Sequence, residues 1–171
     1  MSQRVRAAQN VSRMCLVCGC DNVAGLGGRF FVLDSGELVG VFSPREEHQS
    51  YPGRLHGGMV SAILDETIGR AINVSDTHTW GVTVEFAVHF RKPIPLDQEV
   101  RAVARITRDR SRMFEGTGEI VLEDGTVAAE ASGKYLKLPL EGIAAASFKE
   151  TDWIPDERAR PAEIDLQMTD R

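Results

Sequence analysis

The sequence predicts an α+β protein in which one long helix packs against an antiparallel sheet of about six strands. Three observations predict it. Residues 57–74, GGMVSAILDETIGRAINV, contain no proline and are apolar around most of a helical circumference. Residues 80–90 alternate with period two: Trp80, Val82, Val84, Phe86, Val88 and Phe90 are apolar, and the residues between them are small, polar or charged. Ser35-Gly36 and Asp124-Gly125 are hairpin turn signals between apolar runs.

Each element follows in order. Residues 1–13 are polar, with Arg4, Arg6 and Arg13, and read as a frayed terminus rather than a basic targeting arm. Residues 29–34 and 37–43 form the first hairpin. Residues 44–55, with two prolines and a glycine, form a loop. The helix comes next, then the strand at 80–90, which Pro93 and Pro95 end. Val100, Ala102, Ala104 and Ile106 alternate with Glu99, Arg101 and Arg105 in the fourth strand. Residues 108–111 turn the chain, and 112–122 and 126–138 complete the sheet. A single apolar helix in such an order should lie against the concave face of the sheet. The expected organisation is an N-terminal cysteine-containing segment at 1–28, the folded domain at 29–140 and a charged tail at 141–171. That tail, from about Ser147, carries Trp153-Ile154-Pro155; docking through Trp153 and mobility are both open.

Composition narrows the function. The chain has 171 residues, 42% hydrophobic and 26% charged, as one packed domain requires. Its net charge is −5 and no block of lysine and arginine stands out, which argues against a dedicated nucleic-acid binder. No apolar run reaches the ~18 residues of a membrane span, and no signal-peptide core opens the chain, so the expected compartment is the cytoplasm. Cys15, Cys18 and Cys20 are an odd, clustered set and a poor disulfide framework, in line with a reducing compartment. Cys15-x-x-Cys18 is half of a zinc site, but no second ligand pair follows at suitable spacing. The expectation is no metal, and small buried thiols packing the N-terminus.

The chemistry concentrates at Leu55-His56-Gly57-Gly58-Met59 and Asp65-Glu66. Two glycines at a helix start let a ligand reach backbone N–H groups that lack partners in the first turn. Such groups can stabilise an oxyanion. On the helix, Gly58, Ser61, Ala62, Ile68, Gly69 and Ile72 lie within about 60° of Asp65. Every one is small or apolar, so the Asp65 carboxylate is desolvated and a better base or nucleophile. Glu66 points elsewhere, with Arg70 at i+4, and reads as a surface ion pair. Arg91-Lys92 and Arg108, Arg110 and Arg112 sit near strand ends, as solvated charge or as a rim for phosphates.

His56-Gly57-Gly58, with an acidic residue nine positions after the histidine on the same helix, resembles the hotdog-fold acyl-CoA thioesterases of the phenylacetate-pathway (PaaI-like) type. The element order matches that fold, in which the sheet wraps the helix, and the resemblance covers residues 14–138. Gly-Val-Thr-Val-Glu-Phe at 81–86 is similar to the family's strand after the helix, and Cys15-x-x-Cys18-Gly19 with Gly25-Leu26 to an N-terminal segment of one branch. The resemblance implies hydrolysis of an acyl-CoA thioester to free acid and CoA. It gives Asp65 the part of general base or nucleophile, has the Gly57 N–H polarise the carbonyl, and lets Thr83 position the water. It implies no cofactor. His56 either takes part in catalysis or fixes the loop ahead of the helix. Gly58 and Ser50 fall at substrate-binding positions, although the family commonly carries Asn or Gln where this chain has the shorter Ser50. A hydratase on the same fold would normally use another acid–base pair, and a non-catalytic acyl-CoA-binding or regulatory protein is the alternative.

Gly57 and Asp65 are eight residues apart, roughly 12 Å along a helix. Both groups must lie within about 3–3.5 Å of one reacting thioester. One helix cannot meet that condition, whereas two antiparallel helices about a two-fold axis can. A homodimer, or a dimer of dimers, is therefore expected, and the family's side-by-side pairing agrees.

Overall fold

The computed structural model describes residues 2–144 and 149–166. One helix, α1 (Gly57–Arg70), lies against an antiparallel sheet of eight strands. In chain order these are β1 (Ser2–Ala8), β3 (Arg29–Leu33), β4 (Leu38–Phe42), β5 (Trp80–Phe90), β6 (Val100–Asp109), β7 (Met113–Val121), β8 (Val127–Leu138) and β10 (Glu163–Asp165). The short β2 (Val11–Ser12) and β9 (Trp153–Ile154) pair separately. The order across the sheet is β10-β1-β3-β4-β6-β7-β8-β5. The six expected strands are all present.

Two strands exceed the expectation, and they correct one reading. Residues 2–8 are not frayed: β1 pairs with both β3 and β10. Strand addition uses main-chain N–H and C=O groups, so a polar run such as SQRVRAA can join an edge with only Val5 buried. The tail docks. Trp153 meets Trp80 edge-on at 4.5 Å, and Arg29 binds Asp156 at 2.7 Å. Ser147, where the charged tail was expected to begin, lies outside the described residues.

The tail also explains why β3 reads as an unbroken apolar run. Phe30 and Val32 face α1, while Phe31 and Leu33 face a second cluster with Val5, Val39, Val103, Val121, Ile164 and Leu166. With both faces covered, alternation between apolar and polar disappears.

The helix ends earlier than its sequence pattern. After Arg70 the chain tightens into a 3-10 turn at Ala71–Val74, and the Asn73 side chain donates to the carbonyls of Asp76 and Thr79. Val60, Ile63, Leu64, Thr67 and Ile68 of α1 face the sheet. Glycines in the sheet admit the helix. A Cβ at Gly116 would lie 2.7 Å from Ile68 Cγ2 and 3.0 Å from the Arg105 carbonyl oxygen.

The alternation in β5 holds, but its phase inverts. A bulge falls between Thr83 and Glu85. Before it, Gly81 and Thr83 face the helix; after it, Phe86, Val88 and Phe90 do. Val84, at the bulge, is left 61% exposed. One extra residue therefore aims a hydroxyl at the middle of α1 and an aromatic ring at its start.

Gly116→Ala should lower stability by about 1–3 kcal/mol, because neither a branched side chain nor a backbone carbonyl can move aside cheaply. Chemical unfolding of the two proteins measures it; an unchanged midpoint would contradict the close approach of α1.

Candidate active site

His56 caps α1. Its backbone is extended (φ −64°, ψ 135°) and its Nδ1 accepts the Gly58 N–H at 2.8 Å. The loop ahead of it is held by His48, which is 1% exposed. His48 Nδ1 accepts from the Arg45 N–H and Nε2 contacts the Ala24 carbonyl, both at 3.0 Å. Gly57 is the first helical residue, and among the described residues its N–H takes no partner. The hollow in front of it, of ≈ 280 Å³, is lined by Leu55, Val60, Phe90, Arg91, Lys92 and Ile94. Phe90 crosses this position, 3.5 Å from where a Gly57 Cβ would stand.

Asp65 lies two turns on, half-buried. Thr83 Oγ1 donates to its Oδ1 at 2.8 Å and the Tyr135 hydroxyl to the same oxygen at 3.1 Å. Thr83 and Tyr135 are register partners on β5 and β8, so one strand pair supplies both hydroxyls. Among the described residues Oδ2 accepts no hydrogen bond. Burial raises the Asp65 pKa above the usual aspartate range, and the two hydroxyls offset part of the rise. Burial and the nearby carboxylate push the Tyr135 phenol up as well, so it stays a donor. The hollow beside Asp65, of ≈ 90 Å³, is lined by Glu66, Gly69, Trp80, Gly81, Thr83 and Tyr135.

The structure thus joins Asp65 to Thr83 and His56 to Gly58, and opens Gly57 and Asp65 onto separate hollows. Ser50 joins neither: it is exposed, and its Oγ accepts the Tyr51 N–H at 2.6 Å. Arg91 and Lys92 stand beside Gly57, whereas Arg108, Arg110 and Arg112 lie at the β6–β7 turn. Tyr135 was not legible in the sequence, because nothing in its strand pattern distinguishes a tyrosine that meets a helix from any other core aromatic.

The Glu66–Arg70 pair forms at 2.8 Å, but not on the surface, as the sequence suggested. Arg70 is 4% exposed. Its guanidinium lies against the rings of Phe30 and Trp153 and donates to the Asn10 carbonyl and to Cys18 Sγ, both at 2.9 Å. The N-terminal segment and the tail close over an arginine that helix spacing alone left in solvent. Cys15, Cys18 and Glu66 bring three donor atoms within 4.8 Å of one another, close enough for a metal ion. The cluster already holds a cation, since Arg70 bonds two of the three.

Residues 52–129 match the family model described as Thioesterase superfamily. Among curated proteins the chain is 26% identical over 121 residues to acyl-coenzyme A thioesterase THEM4 of Bos taurus, covering 68% of this chain and 49% of that protein. It is 26% identical over 126 residues to acyl-coenzyme A thioesterase THEM5 of Homo sapiens, covering 71% and 50%. The chain spans about half the length of these curated relatives. The solved PaaI protein of the E. coli phenylacetic acid degradation operon superposes with a TM-score of 0.60 at 19% identity, covering 66% of this chain and 80% of that one, a likeness of fold. The arrangement of one helix against a large antiparallel sheet is the hotdog fold, and residues 52–129 are similar to the thioesterase superfamily.

Two measurements follow. Protein purified without chelator should carry far less than one zinc per chain; stoichiometric, chelator-sensitive zinc would contradict this. Because burial raises Asp65, the folded chain still binds its proton at pH values where the unfolded chain, with a pKa near about 3.9, has released it. Ionisation therefore opposes folding as pH rises through the raised value. Asp65→Asn should have a higher Tm than wild type at pH 7, and the gain should fade below about pH 4. A lower Tm for the variant at pH 7 would overturn the desolvation argument.

Proposed function

We propose that this protein hydrolyses acyl-CoA thioesters to the free acid and CoA. The observation that carries the reading is Asp65: a desolvated carboxylate with two hydroxyls on one oxygen and no hydrogen bond to the other among the described residues, on a residue that lines a hollow on the helix face. The names of the curated relatives supply the substrate class.

Asp65 Oδ2 takes a proton from water as the water oxygen attacks the thioester carbon. Alternatively, Oδ2 attacks that carbon itself and water then hydrolyses the mixed anhydride. In either case the carbonyl oxygen becomes an oxyanion, which re-forms the carbonyl as the C–S bond breaks; CoA leaves as its thiolate, protonated by Asp65 in the first route and by water in the second. Thr83 donates to Oδ1 and has lone pairs left to accept from the attacking water. The Gly57 N–H, unpaired at the positive end of α1, receives the oxyanion. His56 Nδ1 already engages the Gly58 N–H, and in this reading His56 fixes the helix start that presents Gly57.

The two halves of this chemistry come from two copies of the chain. On one helix they are roughly 12 Å apart, and they open onto separate hollows. Support for pairing comes from β5. It ends the sheet, and Val84 and Phe90 on it are 61% and 59% exposed. Phe90 stands beside Gly57, so a second copy placed on β5 meets the first at the site.

Ser50 favours a second reading, a non-catalytic acyl-CoA binder, because its side chain turns to its own neighbour's N–H. Turnover of a thioester panel, followed by free-thiol release, separates the two. Hydrolysis is expected, with Asp65→Asn lowering kcat at least about 100-fold and Glu66→Gln leaving it within a few-fold. No turnover of any thioester, or equal losses in both variants, would refute the assignment. Activity should rise with pH along a limb whose midpoint lies above the ordinary aspartate value of about 3.9; a midpoint at or below it would remove Asp65 as the base.

A further inference from the structure

Cys15 and Cys18 stand outside the site just described, and their arrangement is built. The Gly19 N–H bonds the Cys15 carbonyl at 2.9 Å, so residues 15–19 form one helical turn. A Cβ at Gly19 would lie 2.3 Å from that carbonyl oxygen, and only glycine permits the turn. Across such a turn the two Cα atoms are about 5 Å apart, inside the roughly 4.4–6.8 Å that a disulfide spans. The two sulfurs lie within 4.8 Å of each other.

Their surroundings differ. Cys15 is partly exposed, between Met14 and Leu16, which are 66% and 44% exposed. Its Sγ accepts from the Val17 and Cys18 N–H groups at 3.3 and 3.5 Å. Cys18 is buried, and its Sγ accepts from Arg70 Nη2 at 2.9 Å and the Ser12 N–H at 3.4 Å. A partly exposed sulfur beside a buried one is the division of access of a dithiol exchange pair, in which the reachable sulfur attacks and the sheltered one resolves.

We propose that Cys15 and Cys18 form a redox-active dithiol that reduces disulfides of small thiols, with Cys15 attacking and Cys18 resolving. The Cys15 thiolate attacks one sulfur of the small disulfide, forming a mixed disulfide and releasing one thiolate. Cys18 then gives its proton to the released thiolate and attacks Cys15 Sγ, forming the Cys15–Cys18 disulfide and releasing the second thiolate. The two cysteines lose two electrons and the small disulfide gains them. Arg70 is placed to stabilise the Cys18 thiolate in the second step. The proposal does not depend on thioester hydrolysis, since no residue of that chemistry takes part.

Hydrogen bonding from Cys18 holds the Cys15 pKa down to about 6, against burial and the Glu66 carboxylate; the neighbouring Cys15 sulfur and burial push the Cys18 thiol up, against Arg70. These are the charged and titratable groups facing the pair: Glu66 and Arg70 from α1, and each cysteine facing the other.

The test uses the whole chain with the exposed Cys20 replaced, Cys20→Ser, reduced and then equilibrated with oxidised glutathione. Two thiols should disappear per chain with a mass loss of about 2 Da, and peptide mapping should join Cys15 to Cys18. Cys18→Ser should trap glutathione on Cys15, and Cys15→Ser should take up none. Should Cys18→Ser not fold, the reduced Cys20→Ser protein decides: one equivalent of alkylating agent should label Cys15 before Cys18, and peptide mapping should find the label on Cys15; labelling of Cys18 first would overturn the assignment of roles. Two thiols that stay reduced, a stable glutathione adduct with Cys18 intact, or stoichiometric zinc held by both sulfurs would each overturn the proposal.

Discussion

The Asp65 carboxylate sits on a helix that the sheet surrounds, and it keeps its place because two hydroxyls meet one of its oxygens. Much of the local structure serves that meeting. The bulge after Thr83 turns β5 so that its hydroxyl faces α1. The β5–β8 register sets Tyr135 opposite Thr83. Gly81 and Gly69 keep the helix and strand close, since a Cβ at Gly81 would lie 3.1 Å from the Gly69 carbonyl oxygen. Without the hydroxyls the carboxylate would face the full cost of desolvation; with more donors it would be a weak base. Two donors on one oxygen leave the other without a hydrogen bond among the described residues.

Arg70 is the second organising charge. Removing a guanidinium from water is tolerable only when its donors and faces are filled. Here Glu66, the Asn10 carbonyl, Cys18 and two aromatic rings fill them. These partners come from the helix, the N-terminal segment, β3 and the tail. The same arginine therefore binds the terminal segments to the domain and joins the cysteine pair to the residue after Asp65.

Local patterns in the sequence carried the central elements. The proline-free apolar run, the period-two alternation and the turn dipeptides placed α1 and six strands, because each depends on residues close in the chain. The small apolar face around Asp65 was legible for the same reason. What escaped depends on distant partners. Nothing in SQRVRAA announces a strand, since its partners are backbone groups of β3 and β10. Arg70 looked solvated because the rings that cover it lie far away in sequence. The Thr83 bulge was hidden by an alternation that stays regular in residue type while its phase inverts in space.

The central claim is that Gly57 of one copy and Asp65 of another serve one thioester, and subunit mixing tests it most directly. Gly57→Pro removes the N–H at a first helical position, where proline is tolerated. The extended backbone of His56 already suits a following proline, and a Cβ at Gly57 meets only ordinary contact with Phe90. Gly57→Pro and Asp65→Asn should each be nearly inactive alone. Mixed and allowed to exchange, they form hybrid dimers with one site intact, and activity should climb toward about a quarter of wild type for random pairing of independent sites. No recovery despite demonstrated exchange of folded chains, or full activity in a monomer, would contradict the account.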